Sequence, residues 1–221
     1  MQIIGFIFFL IFVVMLYLIK KFMSWLYNQS DAHLRSGSRL EEAMLIREGK
    51  RLRPVCLLLL LLPVPAMAAS LFWLITEARK NNLPAGMAAF YTLLLFFVIF
   101  ASAQAVSKEL HKRVLLGRSA ARKKSYSILL CRVLDVKEEV LWNGRAKWSD
   151  HYVVFDYGNL TETRKNPSGL DFSESCILVG RLFYRFSDAD GSFDLLLPAE
   201  ELVLGDSLNT KLVNKAWAQE L

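Results

Sequence analysis

Three apolar runs dominate the first half of the chain, from about Gln2 to Ile19, Pro54 to Thr76 and Ala85 to Ser107, and none of them contains Lys, Arg, Asp or Glu. A helix of about 20 apolar residues crosses a bilayer core about 30 Å thick. The pattern therefore predicts three transmembrane α-helices over about 2–19, 54–76 and 85–107. The first run is uniformly bulky, with Gly5 as its one small break, and reads as an anchor. The second carries Pro63 and Pro65, which remove backbone donors and favour a kink, followed by the small residues Ala66, Ala68, Ala69 and Ser70. The third has Ala85, Ala89, Ala101, Ser102, Ala103, Gln104 and Ala105. Small residues let helix backbones approach closely, so the second and third runs are expected to pack as a hairpin. Between the first two runs, Ser38 and Glu41 fit a capping box for a helix with Leu40, Ala43, Met44 and Arg47 on one face.

After Lys124 the period shortens. Ser125 to Val136 is rich in Ile, Leu and Val, and Tyr152 to Tyr157 centres on Val153-Val154-Phe155. In Cys176 to Phe186, Leu182, Tyr184 and Phe186 alternate with Arg181, Phe183 and Arg185, and Phe193 to Leu197 is a further short apolar segment. Trp142-Asn143-Gly144-Arg145 is a hairpin signal, Asp188-Ala189-Asp190-Gly191 offers a second turn, and Asn166-Pro167-Ser168-Gly169 marks a loop. From Asp206 or Ser207, the positions Leu208, Leu212, Val213, Ala216 and Trp217 predict an amphipathic C-terminal helix. Two domains follow from this division: a membrane domain over 1–124 and a small α+β domain over 125–221, with an antiparallel sheet of about four to six strands and a C-terminal helix.

Charge gives the expected topology. The loop from Lys20 to Arg53 holds eight Lys and Arg, the loop from Glu77 to Pro84 holds two, and Lys108 to Lys124 holds seven. Positive charge collects on the cytoplasmic side of a membrane, so the pattern predicts N-out, C-in, a multi-pass protein of the bacterial inner membrane with its C-terminal domain in the cytoplasm. The net charge of +6 belongs to the first half, because residues 125–221 carry ten basic against fifteen acidic residues. The basic segments are thus expected to set topology against the lipid bilayer, and no direct nucleic-acid binding is expected.

Catalytic chemistry is not legible. Cys56, Cys131 and Cys176 are far apart and are expected to be free thiols, and His33, His111 and His151 stand alone in sequence. Asp188-x-Asp190-Gly191-x-x-Asp194 lacks the Gly and Glu positions of a calcium loop, where Phe193 and Ala199 stand instead. Asn159-Leu160-Thr161 is a formal glycosylation sequon, read as incidental. The pairs Glu138-Glu139 and Glu200-Glu201 read as solvated surface. No catalytic, cofactor-binding or metal-ligating residue is assigned, no cofactor or small-molecule substrate is expected, and the chain is read as not an enzyme.

From the residues alone the reading is an anchored interaction domain. The opening Met1-Gln2-Ile3-Ile4-Gly5-Phe6-Ile7-Phe8-Phe9-Leu10, the Leu57 to Leu62 run and the order of three apolar runs then a compact domain resemble the entry-exclusion proteins of I-type conjugative plasmids. The resemblance lies in overall likeness and carries no site residues. It implies plasmid entry exclusion, in which a recipient blocks redundant conjugative transfer by recognising a membrane protein of the donor's transfer apparatus. An anchored structural or assembly subunit of an inner-membrane complex, or an immunity protein against a pore-forming toxin, are the readings of other classes. Glu77 to Pro84 and the exposed strands of the last domain are the expected specificity determinants.

Overall fold

The protein is described from a computed structural model. It describes residues 39–61, 85–142 and 147–214, with Gly144 and isolated positions among 17–34 and 63–76. The elements bounded within the described residues are α1 (Glu42–Leu61) and α2 (Ala85–Ala121), then β1 (Tyr126–Trp142), β2 (Lys147–Asp156), β3 (Thr161–Lys165), the short α3 (Ser175–Leu178), β4 (Leu182–Asp188), β5 (Asp194–Pro198), the short α4 (Asp206–Asn209) and β6 (Leu212–Asn214). The chain divides into two compact units, Met1–Asp31 with Arg51–His111, and Ala32–Lys50 with Lys112–Leu221. The sheet therefore shares its unit with segments on both sides of the expected boundary at 124/125.

The expectation of three transmembrane helices is overturned: among the described residues, no helix is long and apolar enough to cross a membrane. The first run, Gln2 to Ile19, lies outside the described residues apart from Tyr17. Only Pro54 to Leu61 of the second run belongs to α1, and that helix begins with Glu42, Arg47, Glu48, Lys50, Arg51 and Arg53. The third run opens α2, which continues through Lys108, Glu109, His111, Lys112, Arg113 and Arg118. Apolar runs thus form parts of longer helices with heavily charged turns. The N-out, C-in topology and the multi-pass inner-membrane placement fall with the spans.

Within the first unit, Leu52, Cys56 and Leu59 are buried at helical spacing, as are Ile99, Ala103, Val106 and Leu110. The Cys56 thiol lies 3.2 Å from the Ser107 hydroxyl. Of the small residues expected to form a seam, Ala103 is buried, whereas Ala101, Gln104 and Ala105 are exposed. The Glu77 to Pro84 loop lies outside the described residues.

The second unit is built around the sheet. Strand order is β3-β2-β1-β4-β5, antiparallel throughout, and β6 pairs parallel with β1. β1 is long enough to serve three partners. Tyr126 to Arg132 pair with β4, and Arg132 to Trp142 pair with β2 across an irregularity at Val133/Asp135. Where β2 ends, β6 takes over the same edge at Ile128 and Leu129, and the Asn214 side-chain amide donates to the Tyr157 carbonyl.

One face of the sheet carries Ile128, Leu130, Tyr184, Phe186, Leu195 and Leu197, packed on Leu40, Leu45, Leu116, Ala120 and Leu208. The other face carries Cys131, Val133, Val153, Phe155, Phe183 and Leu196. Flat strands about 4.8 Å apart would put β3 and β5 about 19 Å from each other. Instead Arg164 of β3 is ion-paired with Asp194 of β5, and the Leu196 N–H donates to the Ser168 carbonyl at 3.2 Å. The sheet is curled until its two edges meet, and the second face becomes the filled interior of a small barrel. Gly169 permits that closure: at φ 90° it faces Leu196, where a Cβ would run into the Leu196 carbonyl.

The expected C-terminal amphipathic helix is also corrected. Of the described residues from Asp206 onward, only Asp206–Asn209 is helical, and Leu212–Asn214 is a strand. Asn209, Thr210, Val213 and Asn214 favour helix weakly, and the edge of β1 left open by β2 offers this backbone sheet hydrogen bonds instead. Residues 215–221, with Ala216 and Trp217, lie outside the described residues. The start of α1 differs in the same way. Leu40 forms a bridge to Leu204, donating to the Val203 carbonyl and accepting from the Gly205 N–H, so the helix opens at Glu42. Its buried face in this unit is Leu45, Glu48 and Gly49, while Ala43 and Arg47 are exposed.

Candidate recognition surface

The first half of β1 is locked between neighbours; its second half is not. Past Val133, which exchanges hydrogen bonds with Gly180 and Arg181, no described strand pairs with the second edge of Leu134 to Trp142. Of these, Glu138 to Trp142 form with Lys147 to His151 a two-stranded ribbon that reaches beyond the rest of the sheet, with Gly144 between the strands at φ 83°. A left-handed residue suits the tight turns that join twisted strands.

The tip of the ribbon is aromatic. Trp142 is 74% exposed and Trp148 45% exposed, with Val140 also exposed and Leu141 facing Trp148 across the ladder. Rigid, amphipathic rings of this kind are enriched at protein interfaces and among the residues that dominate binding energy. Lys137, Glu138 and Glu139 between the tip and the barrel are exposed.

The base of the ribbon is anchored. Asp150 pairs with Lys165 at 2.7 Å and accepts from the Asn166 amide at 3.1 Å. The Lys165 hydrogen bond holds the Asp150 carboxyl below its usual range, and the same bond raises Lys165. Asn166 and His151 exchange two further bonds through their backbones and the Asn166 side chain, at 2.7 and 2.9 Å. The His151 ring stacks on Phe172 with centroids 4.5 Å apart. A hydrogen bond to Glu139 raises the Tyr152 hydroxyl. The tip is thus exposed on a support held by the chain that follows β3.

A second cluster closes the barrel. Arg185 reaches Asp194 at 2.9 Å, Glu162 at 3.0 Å and the Tyr157 hydroxyl at 2.9 Å, while Arg164 reaches Glu162 at 2.9 Å and also pairs with Asp194. Burial alone would raise the Glu162 carboxyl, but the Arg164 and Arg185 charges and the Tyr157 hydroxyl together hold it below the usual value. Burial pushes the Tyr157 hydroxyl up to about 12. Two guanidiniums face two carboxylates, so the charges cancel within the cluster. Its bonding capacity is spent on joining β3, β4 and β5, which makes it a clamp.

The residues singled out in sequence are scattered. Cys56, Cys131 and Cys176 are free thiols, the first two buried and the third exposed. His111 lies on α2 and His151 at the ribbon base, while His33 is outside the described residues. Among the described residues no group of His, Cys, Asp or Glu could hold a metal ion. Asp188 closes its own turn, accepting from the Phe193 N–H at 3.3 Å, and Asp194 is held by the two arginines. The ribbon was signalled in the sequence by the Asn143-Gly144 turn flanked by Trp142 and Trp148; which edge of β1 stays open was not.

No protein-family model, curated protein or solved structure matches this chain.

Proposed function

We propose that this chain acts by binding and that its role is plasmid entry exclusion: in a recipient cell it blocks redundant conjugative transfer by recognising a membrane protein of the donor's transfer apparatus. The process is taken from the resemblance to the entry-exclusion proteins of I-type plasmids. The observation that carries the binding mode is the ribbon, which offers Trp142 and Trp148 to solvent on an anchored base. A solvent-facing aromatic pair is what a protein partner can bury with gain, since interface hot spots are enriched in Trp and cluster in small central patches. The charged clamp, with its groups bonded to one another, supports the same reading over one of turnover.

The test is a mating assay with the gene expressed alone in recipients, scoring transfer of an I-type plasmid against an unrelated conjugative plasmid. A large fall confined to the I-type plasmid is the expected result. Equal transfer of both, with the protein present at normal abundance, would sink the exclusion role.

A further inference from the structure

We propose that two copies of this chain pair antiparallel through the open edge of β1, Leu134 to Trp142, about a two-fold axis at Glu138. The edge presents backbone N–H and C=O groups that no described strand takes up, and such an edge is a template for a further strand. The question is which strand fits, and the side chains answer it.

Side chains alternate between the two faces of a strand, so in antiparallel self-pairing a residue can only stand opposite one of the same face. The axis must therefore pass through a residue. An axis at Glu138 uses the regular part of the edge, Asp135 to Leu141, and sets Lys137 opposite Glu139, Val136 opposite Val140 and Asp135 opposite Leu141, each pair occurring twice. An axis at Lys137 would put that lysine on its own copy and Asp135 on Glu139. An axis at Glu139 would put that carboxylate on its own copy and leave Lys137 with no opposite charge across the ladder. An axis at Val136 matches Asp135 with Lys137 but reaches Val133, whose edge already bonds to Gly180 and Arg181. Opposite charges across a ladder stabilise it and like charges directly opposite destabilise it, so the Glu138 register is the complementary one.

The apolar residues at the ends agree. Gly180 and Arg181 bring Val179 beside the end of the open edge, and Leu134 and Val179 are 44% and 46% exposed. In the paired state the Trp142 ring of one copy, the most exposed ring of the ribbon, reaches the end of the other copy's edge, near Leu134 and Val179. The register has two unfavourable features: Asp135 stands opposite Leu141, and Glu138 meets its own copy on the axis. The second feature makes the proposal testable, because removing the charge must tighten the pair. The proposal shares Trp142 with the exclusion reading, but its tests need no donor cell, so the two can fail separately.

The experiment uses the full chain with Cys176→Ser, which removes the exposed thiol. Glu138→Cys in that background is expected to form an inter-chain disulfide under mild oxidation at least tenfold faster than Leu160→Cys, an exposed control in the β2–β3 turn. Mixed chains carrying Lys137→Cys and Glu139→Cys separately should cross-link to each other. By sedimentation equilibrium, Lys137→Glu should weaken the dimer, adding Glu139→Lys should restore it, and Glu138→Gln should tighten it severalfold. Cross-linking of Glu138→Cys no faster than the control overturns the proposal. So does cross-linking without rescue by the charge swap. Capture of a different protein by Glu138→Cys in cell extracts, with the purified chain monomeric, would assign the edge to that partner and equally overturn self-pairing.

Discussion

Gly49 and Gly117 meet backbone to backbone where α1 and α2 cross in the sheet-bearing unit. A Cβ built on Gly117 would lie 2.9 Å from the Gly49 Cα and 2.5 Å from the Leu45 carbonyl oxygen, and one on Gly49 would lie 3.0 Å from the Gly117 Cα. The atoms met are backbone, so no side chain can swing aside. The close crossing is also what lets Leu45, Leu116 and Ala120 press together onto Ile128 and Leu130 of the sheet. Gly117→Ala should therefore force the helices apart and cost about 1–3 kcal/mol, as overpacking of a filled core does. Thermal melting checks this, with Gly144→Ala as the contrast. Gly144 has open space around it, so its loss should cost only about 1 kcal/mol from the left-handed backbone.

Acid should loosen the fold through the carboxylates that the clamp and its counterpart at α1 hold charged. Glu162 lies below its ordinary value, and Glu42 does so chiefly through its hydrogen bond from Lys211 at 2.8 Å, aided by the Tyr126 hydroxyl. A carboxyl that binds its proton more weakly when folded favours folding once ionised. Its contribution is complete above the unfolded value of 4.5 and fades as pH falls through the lower folded value. Denaturant midpoints should thus be level near neutrality and drop below pH about 4.5. Glu162→Gln should flatten that acid limb while lowering stability at neutral pH, because Arg164 and Arg185 lose a charged partner.

Thiol reactivity should report the fold. Cys176 is exposed, whereas Cys56 and Cys131 are buried. Burial inside the barrel pushes the Cys131 thiol up to about 12, against the smaller opposing effect of Arg185. The thiolate is the nucleophile, so under native conditions a maleimide should label Cys176 alone, and in denaturant all three cysteines. Peptide mass spectrometry distinguishes the outcomes; rapid native labelling of Cys131 would contradict the closed barrel.

Trp142→Ala and Trp148→Ala should separate recognition from folding. Both rings stand at an exposed tip, where substitutions usually change stability by less than about 0.5 kcal/mol. The double variant is expected to keep the wild-type melting temperature and to lose most of the exclusion scored in the mating assay. Full exclusion by the double variant would move the recognition surface away from the ribbon.

Local grammar in the sequence determined much of the second half. The Asp188 to Gly191 turn and the alternation of Leu182, Tyr184 and Phe186 depend on neighbours within a few residues, and each stands in the structure where the pattern put it, as do the strands on either side of Gly144. Tertiary structure decided the rest, because the deciding groups are far apart in the chain. An apolar run announces that it will leave water without saying what will cover it, and neither the length of the Pro54 to Thr76 and Ala85 to Ser107 runs nor their flanking charges tells a bilayer from a protein neighbour. Amphipathic spacing at Leu208, Leu212 and Val213 could not foresee that β1 would leave an edge for Leu212–Asn214 to fill. The barrel closes through Arg164 with Asp194 and Ser168 with Leu196. That closure brings the two outer strands of the sheet together and leaves the outer half of β1 open, a result no local pattern encodes, since an edge exists only once every other strand has found its neighbour.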